Sequence, residues 1–171
     1  MSEDNRQAQF ARLAQQFDEK VGGPAPNALI DAITKVAMGE AWCHFANSLL
    51  HDGSLSARER ELAILRIASR RGAAYVIDGH RRIATRDQAL DHAELDRIAN
   101  VDLSAWSPRE QLLIRAADAI DAGSLPETLR ASLWRELGEE LLIEFGLVIG
   151  QYILVSTVTT LLGLEPEQAA A

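Results

Sequence analysis

Cysteine is almost missing from this chain: in 171 residues only Cys43 carries a thiol. An intrachain disulfide and a C-x-x-C site both need two sulfurs, so both are excluded. The lone thiol has His44 beside it as a candidate activator, but a single free cysteine more commonly serves as a small buried hydrophobe. Basic charge is also short. Seventeen Lys and Arg stand against 25 Asp and Glu, for a formal net charge of -8 and a pI near 5.0. No basic cluster is longer than Arg70-Arg71 or Arg81-Arg82, so nucleic-acid binding through phosphate neutralisation is not expected. The opening MSEDNRQAQF lacks the apolar core of a secretory signal, which predicts a cytoplasmic protein.

Further absences narrow the chemistry. There is no phosphate-cradling glycine loop, no G-x-S-x-G elbow and no dinucleotide fingerprint, so no cofactor is expected. The four histidines, His44, His51, His80 and His92, form no compact ligand spacing; Glu40 and His44 stand one helical turn apart, a spacing that is common by chance. No metal site is expected. Period-two alternation is missing throughout, which leaves an all-α, single-domain helical bundle. Capping and apolar spacing predict helices over 4–19, 27–38, 39–50, 56–70, 73–86, 91–99, 107–121, 126–137 and 139–162. Pro24 and Pro26 set off an N-terminal helical arm over 1–23 from a domain over 24–165, with a tail over 166–171.

Long apolar runs are scarce as well, and the exception is LLIEFGLVIGQYILVSTVTTLLGL, from Leu141 to Leu164. It is long enough to cross a bilayer. Glu144, Gln151 and five hydroxyl side chains argue against that, and no membrane association is expected. A helix apolar nearly all round should instead be buried on every side, in a core or between subunits, which predicts an oligomer.

The richest segment is LSARERELAILRIASRRGAAYVIDGH, Leu55 to His80. Ser56-Ala57-Arg58-Glu59 is a capping box, in which a serine oxygen and a glutamate carboxylate satisfy amides at a helix start. The similar string Ser107-Pro108-Arg109-Glu110 adds proline at the first helical position. The shared chemistry of helix starts accounts for the likeness without an internal duplication. Arg70-Arg71-Gly72 closes the first of these helices, and a second follows to Arg86. If the chain reverses at Gly72, Glu61 and His80 fall within roughly one turn of the same height on an antiparallel pair. A carboxylate across from an imidazole can fix its tautomer and make a general acid/base pair. A plain ion pair is the competing reading of the same spacing.

Helix start, Glu61, Tyr75 and His80 together resemble the carboxymuconolactone decarboxylase-like superfamily, which includes alkylhydroperoxidase D. The resemblance covers about Pro24 to Glu165, with its specific part in Arg58 to His80. Redox members carry C-x-Y-C-x-x-x-H with a glutamate nineteen residues before the histidine. Here the two cysteine positions are Ala73 and Val76, so the dithiol mechanism that the resemblance implies for that branch is removed. For the rest it implies an alkylhydroperoxidase D-type bundle, assembled as a homotrimer or homohexamer, with Glu61 and His80 as catalytic residues.

The expected activity is a cofactor-independent lyase acting on a small carboxylated lactone or enol-forming organic acid. An isomerase, cyclase or dehydratase would use the same pair. A peroxidase relying on Cys43 and a noncatalytic binding protein are the remaining alternatives. Arg58, Arg60, Arg66 and Arg82 are candidates to hold a carboxylate, with Arg66 and Arg82 preferred. Tyr75, Trp42, Phe45 and His44 are candidates for the wall of a pocket.

Overall fold

The computed structural model describes residues 8, 11–13, 15, 27–100 and 102–166, and every regular element among them is an α-helix. These are α1 (Asn27–Ile33), α2 (Gly39–His51), α3 (Ala57–Arg70), α4 (Ala74–Arg86), α5 (His92–Arg97), α6 (Pro108–Asp121) and α7 (Glu127–Leu161). The arm helix expected over 4–19 lies mostly outside the described residues, and the tail past residue 166 lies wholly outside them. Two compact units divide the chain, with a boundary between Gly53 and Ser54.

In the first unit, α1 stops at Ile33 rather than at the expected residue 38. Its last turn tightens into backbone bonds from Lys35 N–H to the Ala32 carbonyl and from Val36 N–H to the Ile33 carbonyl. The Thr34 hydroxyl donates to the Asp31 carbonyl. The chain then folds back so closely that a Cβ at Gly39 would lie 2.1 Å from the Ile33 oxygen. Only glycine fits that approach, and it starts α2.

The second unit is built around α3. Eight consecutive residues of this helix, Glu61 to Ala68, are buried, because α4, α6 and α7 all pack against it. Leu62, Ile64, Leu65 and Ile67 are fully enclosed, and each contributes roughly 1.5–3 kcal/mol by leaving water. Leu62 and Leu65 join Ala84, Leu90, Leu95, Trp106 and Ile114 in one apolar cluster.

The expected capping boxes open α3 and α6, and Asp91 with Glu94 forms a third at α5. Their glutamates also join the helix starts together. Arg58 donates to Glu94, Glu110 and the Ala89 carbonyl, while Arg109 donates to Glu59. Burial works to raise the Glu59 and Glu110 carboxyls, but arginine and serine hydrogen bonds outweigh it and hold both below the usual range. Further along, Arg66 meets Asp118 and Arg70 meets Asp121. Partners thus advance together along both helices, so α3 and α6 run parallel.

The long segment α7 breaks where the sequence predicts, at Gly138, whose φ of 71° and ψ of 179° interrupt the helix. Within one copy of the chain its apolar run is enclosed on one side only. Phe145, Val148, Ile149, Tyr152 and Val155 are buried, whereas Ile143, Leu147, Leu154 and Leu161 are exposed. Among the described residues this is the one helix long and apolar enough to cross a membrane by length and composition. The charged residue within its apolar run has a local explanation: the Glu144 carboxylate accepts the backbone N–H groups of Ser54 and Leu55, at 2.7 and 3.0 Å. It thereby ties α7 to the loop that leads into α3.

Candidate active site

Glu61 is the fifth residue of α3, in the middle of its enclosed stretch, and its side chain has no solvent exposure. A carboxylate in such surroundings needs a partner to offset lost hydration. The hairpin provides it. Gly72, at φ +61°, takes the left-handed conformation that closes the turn between α3 and α4. This brings the imidazole of His80 across from Glu61, with Nδ1 2.8 Å from Oε2.

With Nδ1 donating to the carboxylate, Nε2 is the nitrogen left for chemistry. No hydrogen bond engages it among the described residues, and the His80 side chain is 10% exposed. The ring is held edge-on by Tyr152 of α7, with centroids 4.8 Å apart and planes at 90°. Burial pushes the Tyr152 phenol well above its ordinary value, the charge of Glu61 adds to this, and Arg60 works against it. Tyr152 therefore stays protonated, as a neutral donor beside the pair. The second Glu61 oxygen, Oε1, is buried without a hydrogen bond, and so is Arg60 Nε, 3.7 Å away.

The other expected residues are placed elsewhere. Arg66 and Arg82, preferred as carboxylate holders, are not brought to the pair, and that expectation is corrected. Arg66 follows Glu61 by five positions, a rotation of about 140° around the helix. There its guanidinium bonds both Asp118 oxygens and the carbonyls of Ile98 and Asn100. Arg82, two positions after His80, turns to about 160° from it and pairs with Asp78 at 3.2 Å on the surface. Tyr75 is buried but leaves α4 about 140° from His80.

Trp42 and His44 belong to α2 in the first unit, where Trp42 is half-buried and His44 is exposed, with Nε2 3.9 Å from Glu40. Phe45 is also exposed there. Tyr152 was missed as a site residue. Its only signal in sequence is a tyrosine within the apolar run, which periodicity assigns to the core.

Cys43 is buried, and burial with the nearby charge of Glu40 pushes its thiol up to about 11. At pH 8 only about one molecule in a thousand then carries the nucleophilic thiolate. Native protein should therefore react with iodoacetamide at least about a hundredfold more slowly than protein unfolded in guanidinium, and the rate should still be rising at pH 10. Equal rates in the two states at pH 8 would show an activated thiol.

The model of the Carboxymuconolactone decarboxylase family matches residues 37–119, a span that includes both members of the pair. Among solved structures, an uncharacterized peroxidase-related protein from Silicibacter sp. TM1040 has the same fold. The likeness has a TM-score of 0.79 and 18% identity, over 92% of this chain and 84% of that one. A protein of unknown function from Agrobacterium tumefaciens, suggested to be the antioxidant defence protein AhpD, matches with a TM-score of 0.70 and 17% identity. That match covers 77% of this chain and 92% of the other. No curated protein sequence matches the chain. Over residues 37–119 the chain is thus similar to the Carboxymuconolactone decarboxylase family, and it shares its fold with these two solved structures.

Proposed function

We propose that this protein is a cofactor-independent lyase that decarboxylates a small carboxylated lactone or enol-forming acid by proton transfer from His80. The observation that carries the reading is the buried 2.8 Å contact between His80 Nδ1 and Glu61 Oε2. When a carboxylate leaves as carbon dioxide, its bonding electrons pass into a conjugated carbonyl and form a dienolate. His80 Nε2–H then delivers a proton to carbon, and the nitrogen regains one from water. Glu61 holds the ring in place and offsets the positive charge that the doubly protonated ring carries until Nε2 gives up its proton. Tyr152, as a neutral phenol, can donate to the developing enolate oxygen.

An isomerase, cyclase or dehydratase would need the same pair, and product mass separates these from a decarboxylase. The peroxidase relationship suggested for one structural neighbour and the antioxidant defence role suggested for the other raise an antioxidant reading. In this chain that reading would rest on the single thiol of Cys43, whose burial works against it. The trimer or hexamer implied by the resemblance is part of the proposal, and the exposed apolar residues of α7 support it.

The test is to incubate purified protein with a panel of carboxylated lactones and β-keto acids, following carbon dioxide and product mass, with organic hydroperoxide consumption as a separate arm. Carbon dioxide release that disappears in His80→Gln supports the lyase. Hydroperoxide consumption that disappears in Cys43→Ser replaces it with the antioxidant reading.

A further inference from the structure

We infer that Arg60 is the residue that receives the permanent negative charge of the substrate, and so determines which ligands the Glu61–His80 site accepts. This rests on the proposed reading of that pair and adds a specificity residue to it. The other three arginines of α3 already have acceptors. Arg58 is bonded to Glu94 and Glu110, Arg66 to Asp118, and Arg70 to Asp121. Arg60 has no hydrogen bond among the described residues, although its side chain is only 11% exposed and its Nε is buried.

Desolvating a guanidinium without an acceptor is costly, and Glu61 at 3.7 Å is beyond hydrogen-bond reach. Glu61 also shares its charge with His80 through its other oxygen. An incoming carboxylate would supply the acceptors that Arg60 lacks, in the two-pronged geometry that a guanidinium favours. Chemistry selects which carboxylate. Pairing with the one that leaves would stabilise the reactant and raise the barrier. Arg60 therefore holds an anionic group that stays on the molecule.

The probes are paraconate, a γ-lactone bearing one carboxylate, maleate as a second carboxylate, and the uncharged methyl ester of paraconate. Calorimetric titration of the wild type should show binding of at least one carboxylate and at least tenfold weaker binding of the ester. Arg60→Gln should lose carboxylate binding by tenfold or more while melting no lower than the wild type, since no hydrogen bond within the protein is lost. Arg60→Lys, which keeps the charge but not the fork, should fall between. His80→Gln should bind like the wild type.

Unchanged binding in Arg60→Gln overturns the inference, as does a wild type that binds neither carboxylate or binds the ester equally well. A lower melting temperature for Arg60→Gln with unaltered binding assigns Arg60 to a structural ion pair instead. The underlying reading fails separately: if His80→Gln turns over a panel substrate at the wild-type rate, proton transfer by His80 is wrong even where Arg60 binds as expected.

Discussion

Replacing His80 by glutamine is expected to lower turnover of a true substrate by at least about a hundredfold, the usual scale for removing a general acid, while leaving the protein folded. Glutamine is the informative choice. Glu61 is fully buried and its Oε2 depends on His80 Nδ1, so alanine would leave an unpartnered charge and cost about 3–5 kcal/mol in stability. The glutamine amide can donate to Glu61 but has no nitrogen that takes up and releases a proton near neutral pH. A loss of turnover without a fall in melting temperature is then due to chemistry. Glu61→Gln should fall between wild type and His80→Gln, because an amide oxygen can still accept from Nδ1 but cannot offset the charge on the ring. Measurement is of kcat and melting temperature in parallel. Wild-type kcat in His80→Gln would remove the histidine from the mechanism.

That pair was legible in the sequence because local rules fix it. The capping box sets where α3 begins, Gly72 sets where the hairpin turns, and helical rise then fixes the relative heights of positions 61 and 80. The all-helical class and the break at Gly138 follow from similarly local signals. What could not be read depends on which helix lies beside which. Tyr152 reaches His80 from more than seventy residues away, and nothing near residue 152 announces it.

The arginines show the same limit. Residue type admits Arg58, Arg60, Arg66 and Arg82 equally. Their roles separate only when α6 supplies Asp118 to one face of α3 and α4 supplies His80 to another. The parallel run of α3 and α6 is also a tertiary result, although both capping boxes that it joins were readable. The end of α1 was misplaced because apolar spacing continues past Ile33, while the close approach at Gly39 is a property of the folded backbone.

Arg66→Ala is expected to destabilise the protein by about 3–5 kcal/mol, the range for breaking a buried ion pair from one side, with little effect on kcat or KM measured well below melting. The guanidinium is 5% exposed and donates to both Asp118 oxygens, at 2.7 and 2.8 Å, and to the Ile98 and Asn100 carbonyls, both at 2.8 Å. Removing it leaves Asp118 on α6 with only the more distant Arg70, at 3.6 Å, and strips the Ile98 and Asn100 carbonyls, on the segment that follows α5, of this donor. Arg70→Ala is the contrast: its side chain is 32% exposed, and solvent screening should hold the loss to about 1 kcal/mol or less. Denaturant midpoints for the two variants give the comparison. Pairing Arg66→Met with Asp118→Leu should recover the share due to the stranded carboxylate, but not the share due to the two carbonyls, so the double variant should remain less stable than the wild type. An Arg66→Ala protein of wild-type stability whose KM rises tenfold would reverse the assignment and return Arg66 to the substrate.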